Sequence, residues 1–342
     1  MKRERRNENM KRKMFGRVIL VMVPFWLLGI VFAGHAAPVA QSINLITNPA
    51  GMGLYTIAVA QGQLIARKTG LQIIVQPSQG PKVIPYILES GDGQVATLSV
   101  NNTFWAYKGI SEYKKPYKFL RVLQAGNENY FAIITKEKSG IKTIPDLKGK
   151  RVTYSVTSHM TQLVMETELL AYGLNPTKDI TVVKTEDNST AVRDLDQGRT
   201  DAAACGLGGS KMVELSRKTK IVVLPFDPSK IAFVQKEMVM FPAITPDNLS
   251  GVDPGLKVIA TPNLLIGRAD LSDDVAYQMV KALVENYNEL KAVNPVLADW
   301  KPEVAVRELP VPYHPGAIKY YKEKGFWSSK MDQLQEKLLA EK

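Results

Sequence analysis

The stretch NLITNPAGMGLYTIAVAQGQLIARKTG, residues 44–70, decides how the rest of the chain is interpreted. It begins with a short apolar run, passes through a loop of small and turn-forming residues at 47–53, and continues with apolar residues at helical spacing. Gly70 is well placed to end that helix in a left-handed cap. The pattern therefore predicts a strand, a glycine-containing loop and a helix.

The loop at 47–53 exposes the first backbone N–H groups of the helix, which have no partner within the helix. Together with the positive end of the helix dipole, those donors form a site for an anion or a carbonyl oxygen. The alternative is that Gly51 and Gly53 only shape a tight turn, since their spacing matches no strict phosphate-binding motif. On this segment alone, both interpretations stay open.

The size and composition of the chain fit a globular protein of two ordinary domains. The sequence has 342 residues, of which 45% are hydrophobic, and a formal net charge of +11. Residues 1–36 hold eight Lys or Arg and two Glu, a net +6, which leaves only +5 for the rest of the chain. A scattered +5 argues against nucleic-acid binding, which requires a concentrated basic face. The single cysteine, Cys205, excludes an intramolecular disulfide and a cysteine-cluster metal site.

Residues 1–36 follow the three-part plan of a secretory signal. A basic segment precedes an unbroken apolar run of 16 residues at 18–33, and small residues follow at 34–37. Because a membrane span needs about 20 residues, a cleaved signal is favoured over a retained anchor. The basic flank belongs on the inner side of a membrane, which predicts a periplasmic protein, or one tethered through an uncleaved signal. The long leader leaves the start codon open among Met1, Met10 and Met14.

The same order of elements occurs twice along the chain. The sequence predicts strands at 43–46, 71–75, 95–99, 151–155, 180–184 and 201–205, and helices at 54–68, 82–90, 161–172, 189–197 and 210–218. Such alternation implies parallel sheets with right-handed crossovers. Because ligands collect at the carboxyl ends of strands in open parallel sheets, the loops of the two halves are predicted to face one shared cleft.

Two extended apolar segments connect the halves, a crossing strand at 121–135 and a return strand at 256–268. The sequence also predicts an irregular, proline-rich excursion at 227–257, one long helix at 273–291 and a helical tail at 316–342 that packs on the first lobe. The predicted organisation is a signal peptide at 1–36, the first part of lobe I at 37–126, lobe II with an irregular connector at 127–257, and the return strand with the C-terminal helices of lobe I at 258–342.

Residues that could carry chemistry are sparse. His159 and His314 are the only histidines after the leader, and neither belongs to a metal-binding motif. No nucleophile elbow or phosphate-binding GKS/GKT motif occurs. Glu166 and Glu168 are two apart on a predicted helix and so diverge, and Cys205 is interpreted as buried filler. We therefore expect no catalytic residue, no metal and no cofactor, and a binding protein rather than an enzyme.

Several side chains near the predicted cleft carry two interpretations. Thr157, Ser158 and Thr161 are either helix caps alone, or caps whose spare hydroxyls point into the cleft. Trp105 and Tyr107 are interpreted as core residues, with the cleft wall as the alternative.

The sequence resembles the TAXI group of solute-binding proteins of TRAP (tripartite ATP-independent periplasmic) transporters over residues 42–325. The segments that carry the resemblance are NPAGMGLYTIAVAQGQLIA, DLKGKRVTYSVTSHMTQLVMETELLAYGL, LDQGRTDAAACGLGGS and PVPYHPGAIKYYKEKG. The resemblance implies an α/β, two-lobed type II periplasmic-binding fold, in which each lobe is a mostly parallel sheet flanked by helices and crossing strands form the hinge.

For function, the resemblance implies capture of a small solute, often a carboxylate such as an amino acid or dicarboxylate, and its delivery to TRAP membrane subunits. A binding protein of an ABC-type importer or a ligand sensor is the alternative, and an enzyme on the same scaffold is a distant one. Three loops depart from the family pattern, so the identity of the solute does not transfer. The loop at 48–53 has fewer glycines than is usual, Gly80-Pro81 stands in place of Gly-Ser, and 157–159 stands in place of a Gly-Ser-Gly-like loop.

Carried over position by position, the resemblance assigns candidate ligand contacts in both lobes. The first lobe would supply backbone and amide contacts and an aromatic wall, and the second would supply hydroxyls and close backbone approach. The candidates are Asn48, Gly51, Gly53, Tyr55, Ser78 and Asn101 from the first lobe, and Thr157, Ser158, Thr161 and Gly208 from the second.

Overall fold

A computed structural model describes residues 42–50, 53–156, 158–236 and 238–341 of the chain. The leading unit forms as the sequence predicts, with strand β1 at Ser42–Thr47 and helix α1 at Gly53–Thr69. The buried residues of α1 include the apolar positions that repeat at helical spacing in the sequence. The predicted signal at 1–36 lies outside the described residues.

The remaining strands and helices follow in the predicted α/β alternation. The strands are β2 (Gln72–Pro77), β3 (Val95–Ser99), β4 (Leu120–Lys136), β5 (Arg151–Ser155), β6 (Thr181–Thr185), β7 (Ala202–Gly206), β8 (Ile221–Val223), β9 (Phe241–Ile244) and β10 (Lys257–Arg268). The helices are α2 (Ile84–Ser90), α3 (Val100–Lys108), α4 (His159–Ala171), α5 (Asn188–Asp196), α6 (Ser210–Lys218), α7 (Ile231–Val234), α8 (Asp273–Glu285), α9 (Tyr287–Val293), α10 (Pro315–Glu323) and α11 (Ser329–Ala340).

The strands form two parallel groups joined by two long antiparallel strands. The order across the sheet is β2-β1-β3-β10-β4-β7-β5-β6, with β8 beside β4 and β9 beside β10. β1 pairs in parallel with β2 and β3, and β5 pairs in parallel with β6 and β7. β4 and β10 are antiparallel to each other and to their neighbours in the two groups. This is the predicted two-lobed type II fold, and β4 and β10 are its predicted crossing and return strands.

Side chains alternate between the two faces of the second parallel group. Ile133, Val152 and Ala204 pack on one face with Leu169 of α4. Cys205, the next residue in β7, packs on the opposite face with helix α5. The Cys205 thiol is fully buried, and burial raises its pKa to about 12. Cys205 is thus the buried filler that the sequence predicts.

The segment at 227–257 is more regular than predicted. It contains α7 and β9, and β9 pairs antiparallel with β10. The prediction of an irregular excursion holds for the residues between these elements, but it misses β9, because Pro242 lies in an edge strand, where a residue without an N–H group is tolerated.

The prediction of a single long helix at 273–291 is wrong. It divides into α8 and α9 at Asn286, whose backbone leaves helical geometry at φ −112° and ψ 29°. The Asn286 side chain donates to the Ala282 carbonyl, so a local side-chain hydrogen bond competes with continuation of the helix. The tail predicted to be helical at 316–342 consists of the helices α10 and α11, which are separated at Gly325, where φ is +74°.

The segment PVPYHPGAIKYYKEKG, residues 310–325, contains α10 and packs it closely against the beginning of α8. His314 is fully buried at the start of α10, its Nδ1 accepting from the Gly316 N–H and its Nε2 bonding the Leu271 carbonyl oxygen. Burial lowers the pKa of His314, which favours the neutral ring that these two bonds require. A Cβ at Gly316 would lie 2.0 Å from the Asp273 carbonyl oxygen, so the two helices approach closely only with glycine there.

Both predicted lobe boundaries, at 126–127 and 257–258, fall at or within the long strands β4 and β10, and they stay predictions. Among the described residues, no helix has both the length and the apolar character that a membrane span requires.

Candidate functional site

A cavity of about 720 Å³ lies where the two parallel groups meet β4 and β10. Its walls come from the loop after β1, the beginnings of α1, α3 and α4, and the middle of the two long strands. The carboxyl ends of parallel strands therefore face it, which is where open α/β sheets collect their ligands.

Three helices of nine or more residues begin at this cavity. Gly53 starts α1, Ser99 caps α3, and Ser158 occupies the capping position of α4. Ser99 Oγ accepts from the Asn102 N–H at 3.3 Å, whereas the Ser158 hydroxyl makes no capping bond and stays available. Each helix beginning stabilises a nearby negative charge by roughly 0.3–2 kcal/mol.

The back wall of the cavity is made of amides on the crossing strands. Asn127 and Asn129 of β4 and Asn263 of β10 all line it. Asn129 Nδ2 donates to Asn263 Oδ1 at 3.0 Å, and Asn263 Nδ2 donates to Asn127 Oδ1 at 3.2 Å. Trp300 Nε1–H also donates to Asn127 Oδ1, at 2.9 Å.

Sequence reasoning missed these three asparagines. The signal was present, because RVLQAGNENYFAIIT places two asparagines at alternate positions of an otherwise apolar buried strand. Buried asparagine is uncommon and requires hydrogen-bond partners, so alternation of this kind marks a polar wall.

The opposite wall comes from the beginning of α4. The His159 ring lies 5.3 Å from the Trp105 ring, centroid to centroid, and His159 Nε2 is 3.3 Å from Ser111 Oγ. Trp105 is only 2% exposed and also lines the cavity, so it is both a core residue and a cleft wall. Tyr107 is buried, and its hydroxyl donates to the Leu338 carbonyl of α11.

Ionic groups in the lining compensate one another. Lys82 Nζ and Glu112 Oε2 lie 3.8 Å apart near the cavity mouth. No arginine or cysteine occurs among the lining residues that the structure describes. A charged ligand would therefore meet helix beginnings and amides rather than a free side-chain counter-charge.

The structure brings three of the predicted contacts together in the cavity: Asn48, Gly53 and Ser158. Asn48 Oδ1 is buried and has no hydrogen-bond partner among the described residues. Gly51 and Thr157 lie outside the described residues.

Of the other predicted contacts, Asn101 and Thr161 use their polar atoms within the protein. Asn101 bonds Thr261 Oγ1 at 2.7 Å and both backbone groups of Val239. Thr161 Oγ1 accepts from the Ser155 N–H at 3.2 Å and donates to the Ser158 carbonyl at 2.9 Å. Both side chains are almost fully buried, and neither residue lines the cavity.

The last three predicted contacts also lie outside the lining. Ser78 Oγ donates to the Gly80 carbonyl at 3.0 Å and so shapes the loop at 79–83, which does line the cavity. Gly208 has a φ of +80° and would place a Cβ 2.7 Å from Leu249 Cδ1, which accounts for the glycine without a ligand. Tyr55 is half-buried on the first turn of α1. The ligand role of all ten residues stays a prediction.

Comparison with known proteins decides the family. The model of the NMT1-like family matches residues 45–325. The chain belongs to the NMT1-like family. The matched range covers every lining residue of the cavity described here.

Two solved structures show the fold of this NMT1-like protein. One is the periplasmic aliphatic sulphonate-binding protein SsuA from Escherichia coli, with 14% identity, a TM-score of 0.51, and coverage of 89% of this chain and 95% of that one. The other is described as the periplasmic sulfonate-binding protein SsuA from Methylobacillus flagellatus KT, with 14% identity, a TM-score of 0.54, and coverage of 84% and 88%. At this identity the likeness concerns the fold alone.

Proposed function

We propose that this NMT1-like protein is an exported receptor that binds a small solute in the cavity without altering it. One observation carries the proposal: three helix beginnings and a wall of asparagines converge on one cavity whose described lining pairs its single carboxylate, Glu112, with Lys82. Such a lining provides orientation and hydrogen bonds, which suits the binding of a small molecule.

Binding is proposed to close the cavity by a hinge. The lobes would be 37–126 with 258–342 on one side and 127–257 on the other, with β4 and β10 passing between them. Rotation at two crossing strands is an established form of domain closure around a ligand. Closure would bring α4 and its Ser158 hydroxyl onto a ligand already held by the loop after β1.

The proposed solute is small and carries an anionic group such as a carboxylate. Helix beginnings suit an anion, and a micromolar ligand needs about 8 kcal/mol of binding free energy. Since each helix beginning supplies at most about 2 kcal/mol, the amides and both walls must contribute as well. A sulfonate is the second candidate, because the two similar structures are sulfonate-binding proteins.

For the membrane partner, we propose an ABC-type importer. The Methylobacillus flagellatus protein is described as part of a sulfonate ABC transporter, which supports this partner over TRAP membrane subunits. Delivery to a TRAP permease rests only on the sequence resemblance given above. Reconstituting transport in vesicles with each class of permease would decide: uptake that requires ATP supports the proposal, and uptake driven by an ion gradient alone contradicts it.

A thermal-shift screen tests the binding function. The chain from residue 37 onward would be screened against carboxylates, amino acids and sulfonates, followed by calorimetry on each ligand found. A ligand at 100 times its dissociation constant adds about 2.7 kcal/mol to the unfolding free energy, which is readily detected. Recovery of the unchanged ligand by mass spectrometry supports a receptor, and recovery of a converted product would establish an enzyme instead.

A further inference from the structure

The direction of hydrogen bonding along the back wall is set by one buried tryptophan. Trp300 is fully buried behind the cavity, and its indole nitrogen can only donate. The atom that it meets, 2.9 Å away on Asn127, must therefore be an oxygen. An asparagine amide has an acceptor end and a donor end, so this contact fixes which end of Asn127 faces Trp300.

The same constraint passes to the next two asparagines. Since Asn127 presents its oxygen, the Asn263 atom at 3.2 Å must be the amide nitrogen. Asn263 then presents its own oxygen to Asn129, whose amide nitrogen donates at 3.0 Å. We call this row of three side chains, Asn127, Asn263 and Asn129, the amide chain.

The orientation of the three amides determines which hydrogen-bond donors and acceptors of the amide chain are left for a solute in the cavity. Asn127 uses only its oxygen within the protein, so its NH₂ group is left as a donor. Asn129 uses only its nitrogen, so its oxygen is left as an acceptor. Asn127 is 7% exposed and Asn263 is 3% exposed, so reorientation by water is strongly restricted.

The packing around Trp300 holds this arrangement in place. A Cβ at Gly126 would lie 2.2 Å from the indole, so the ring sits directly on the backbone of β4. Pairing between β4 and β10 also shifts register between Pro262 and Leu264, which places Asn263 at an irregularity of the ladder. The indole is thus fixed against β4, beside the irregular part of its antiparallel pairing with β10.

We propose that Trp300 is a positioning residue that sets the donor and acceptor order of the cavity wall, and that the solute carries an N–H or O–H donor in addition to its acceptor group. An acceptor on the solute would meet the Asn127 amide nitrogen, and a donor would meet the Asn129 oxygen. A solute without a donor would leave the Asn129 oxygen without a partner once the solute has displaced water from the cavity, which is costly. The statement about the solute rests on the proposed function, whereas the statement about Trp300 does not.

A ligand-free experiment tests the role of Trp300. Aspartate is close in shape to asparagine but has two acceptor oxygens. Asn127→Asp keeps both bonds to Asn127, whereas Asn129→Asp sets an oxygen against Asn263 Oδ1. We expect Asn129→Asp to lower the unfolding midpoint by several degrees more than Asn127→Asp, even though Asn127 is the more buried residue.

The decisive variant combines Asn129→Asp with Trp300→Phe. Without the indole N–H, the other two amides can turn over, so that Asn263 donates to the new carboxylate and Asn127 donates to Asn263. The double variant should therefore be more stable than the sum of the single effects, a coupling that a purely structural tryptophan would not produce. Strict additivity would overturn the proposal. Trp327→Phe combined with Asn129→Asp is the matched control and should be additive, because Trp327 bonds Asp332 away from the cavity.

Paired probes test the statement about the solute. The pairs are succinamate with monomethyl succinate, L-alanine with propionate, and taurine with ethanesulfonate. The donor-bearing member of any pair that binds should be preferred about tenfold or more, and Trp300→Phe should reduce that preference to below about threefold. Equal affinities within a binding pair overturn this statement. If none of the probes binds, the proposed solute class is refuted, while the stability cycle still decides the role of Trp300.

Discussion

Two strand–helix units of the same plan can be compared: β1 with α1, and β5 with α4. Each helix buries one long polar side chain, Gln61 in α1 and Glu168 in α4, and the two side chains differ in chemistry. Helix α1 buries Gln61, a neutral amide, completely. Helix α4 buries Glu168, an ionisable carboxyl with one oxygen that has no partner, and burial raises its pKa to about 8. Two units of the same plan thus differ in their response to pH.

The units differ again at their loops. In the first, Thr47 Oγ1 bonds the Leu54 carbonyl at 3.0 Å and Thr97 Oγ1 at 2.6 Å, and Asn48 is left for the cavity. In the second, Thr161 closes the loop and Ser158 is left for the cavity. In both units, then, a threonine holds the loop while a neighbouring polar residue lines the cavity.

The largest expected effect comes from removing the pH dependence of stability that Glu168 in α4 introduces. Because the pKa of Glu168 is raised in the folded state, the folded protein binds more protons than the unfolded chain between about pH 4.5 and 8. Below pH 4.5 the Glu168 carboxyl is neutral in both states and the free energy of unfolding is at its full value. As the pH rises to about 8, only the unfolded chain releases this proton, so the free energy of unfolding falls. Glu168→Gln should remove that dependence and raise the unfolding free energy at pH 8 by on the order of 4 kcal/mol.

Urea unfolding across pH 4.5–9 measures this effect. Gln61→Glu is the matched control, since it should introduce the same loss of stability with rising pH into the first unit. An unchanged pH profile for Glu168→Gln would show that Glu168 is ionised in the folded protein.

The next largest effect tests the loop-holding threonines. Thr161→Val keeps the shape but removes the bonds of the Thr161 hydroxyl with the Ser155 N–H and the Ser158 carbonyl, so we expect a loss of about 1–3 kcal/mol in unfolding free energy. Thr47→Val should cost a similar amount. A loss confined to one unit would show that the loops are held by different means.

Smaller effects on stability, with larger effects on ligand, are expected for the two cavity-facing residues. Asn48→Ala and Ser158→Ala should each change the unfolding free energy by less than about 1 kcal/mol and weaken the ligand found in the thermal-shift screen about five- to tenfold. Calorimetry on the two variants measures this. If one keeps full affinity, the ligand is held by one unit alone.

The smallest effect concerns the contact between α4 of the second unit and helix α3. His159→Ala removes the ring that meets Trp105 across the cavity, and we expect at most about 1.5 kcal/mol of lost stability together with altered Trp105 fluorescence. His159→Phe is the conservative control and should keep most of the ring contact. Unaltered fluorescence in His159→Ala would mean that the two rings do not meet in solution.

Much of the fold follows from local pattern. Helical spacing at 54–68 and the small apolar strands at 95–99 and 201–205 predict β1–α1 and the two parallel groups, since these signals are contained in each segment. The division at Asn286 was missed because a side-chain hydrogen bond, rather than hydrophobic periodicity, ends that helix.

The candidate site follows from the sequence only in part. Asn48, Gly53 and Ser158 lie in loops after strands, where topology alone points to the cavity. The amide chain depends on the register between β4 and β10 and on Trp300, which is 173 residues from Asn127. Contacts between residues so far apart in the sequence depend on tertiary packing, so no local sequence motif predicts them.

The inaccessible thiol of Cys205 has a practical consequence. It is the single cysteine of the chain, fully buried, and largely protonated at neutral pH. A new cysteine placed on the surface near the cavity mouth would therefore be the one that a maleimide dye modifies, with no need to replace the native residue. A single substitution would thus provide an optical reporter for the proposed solute.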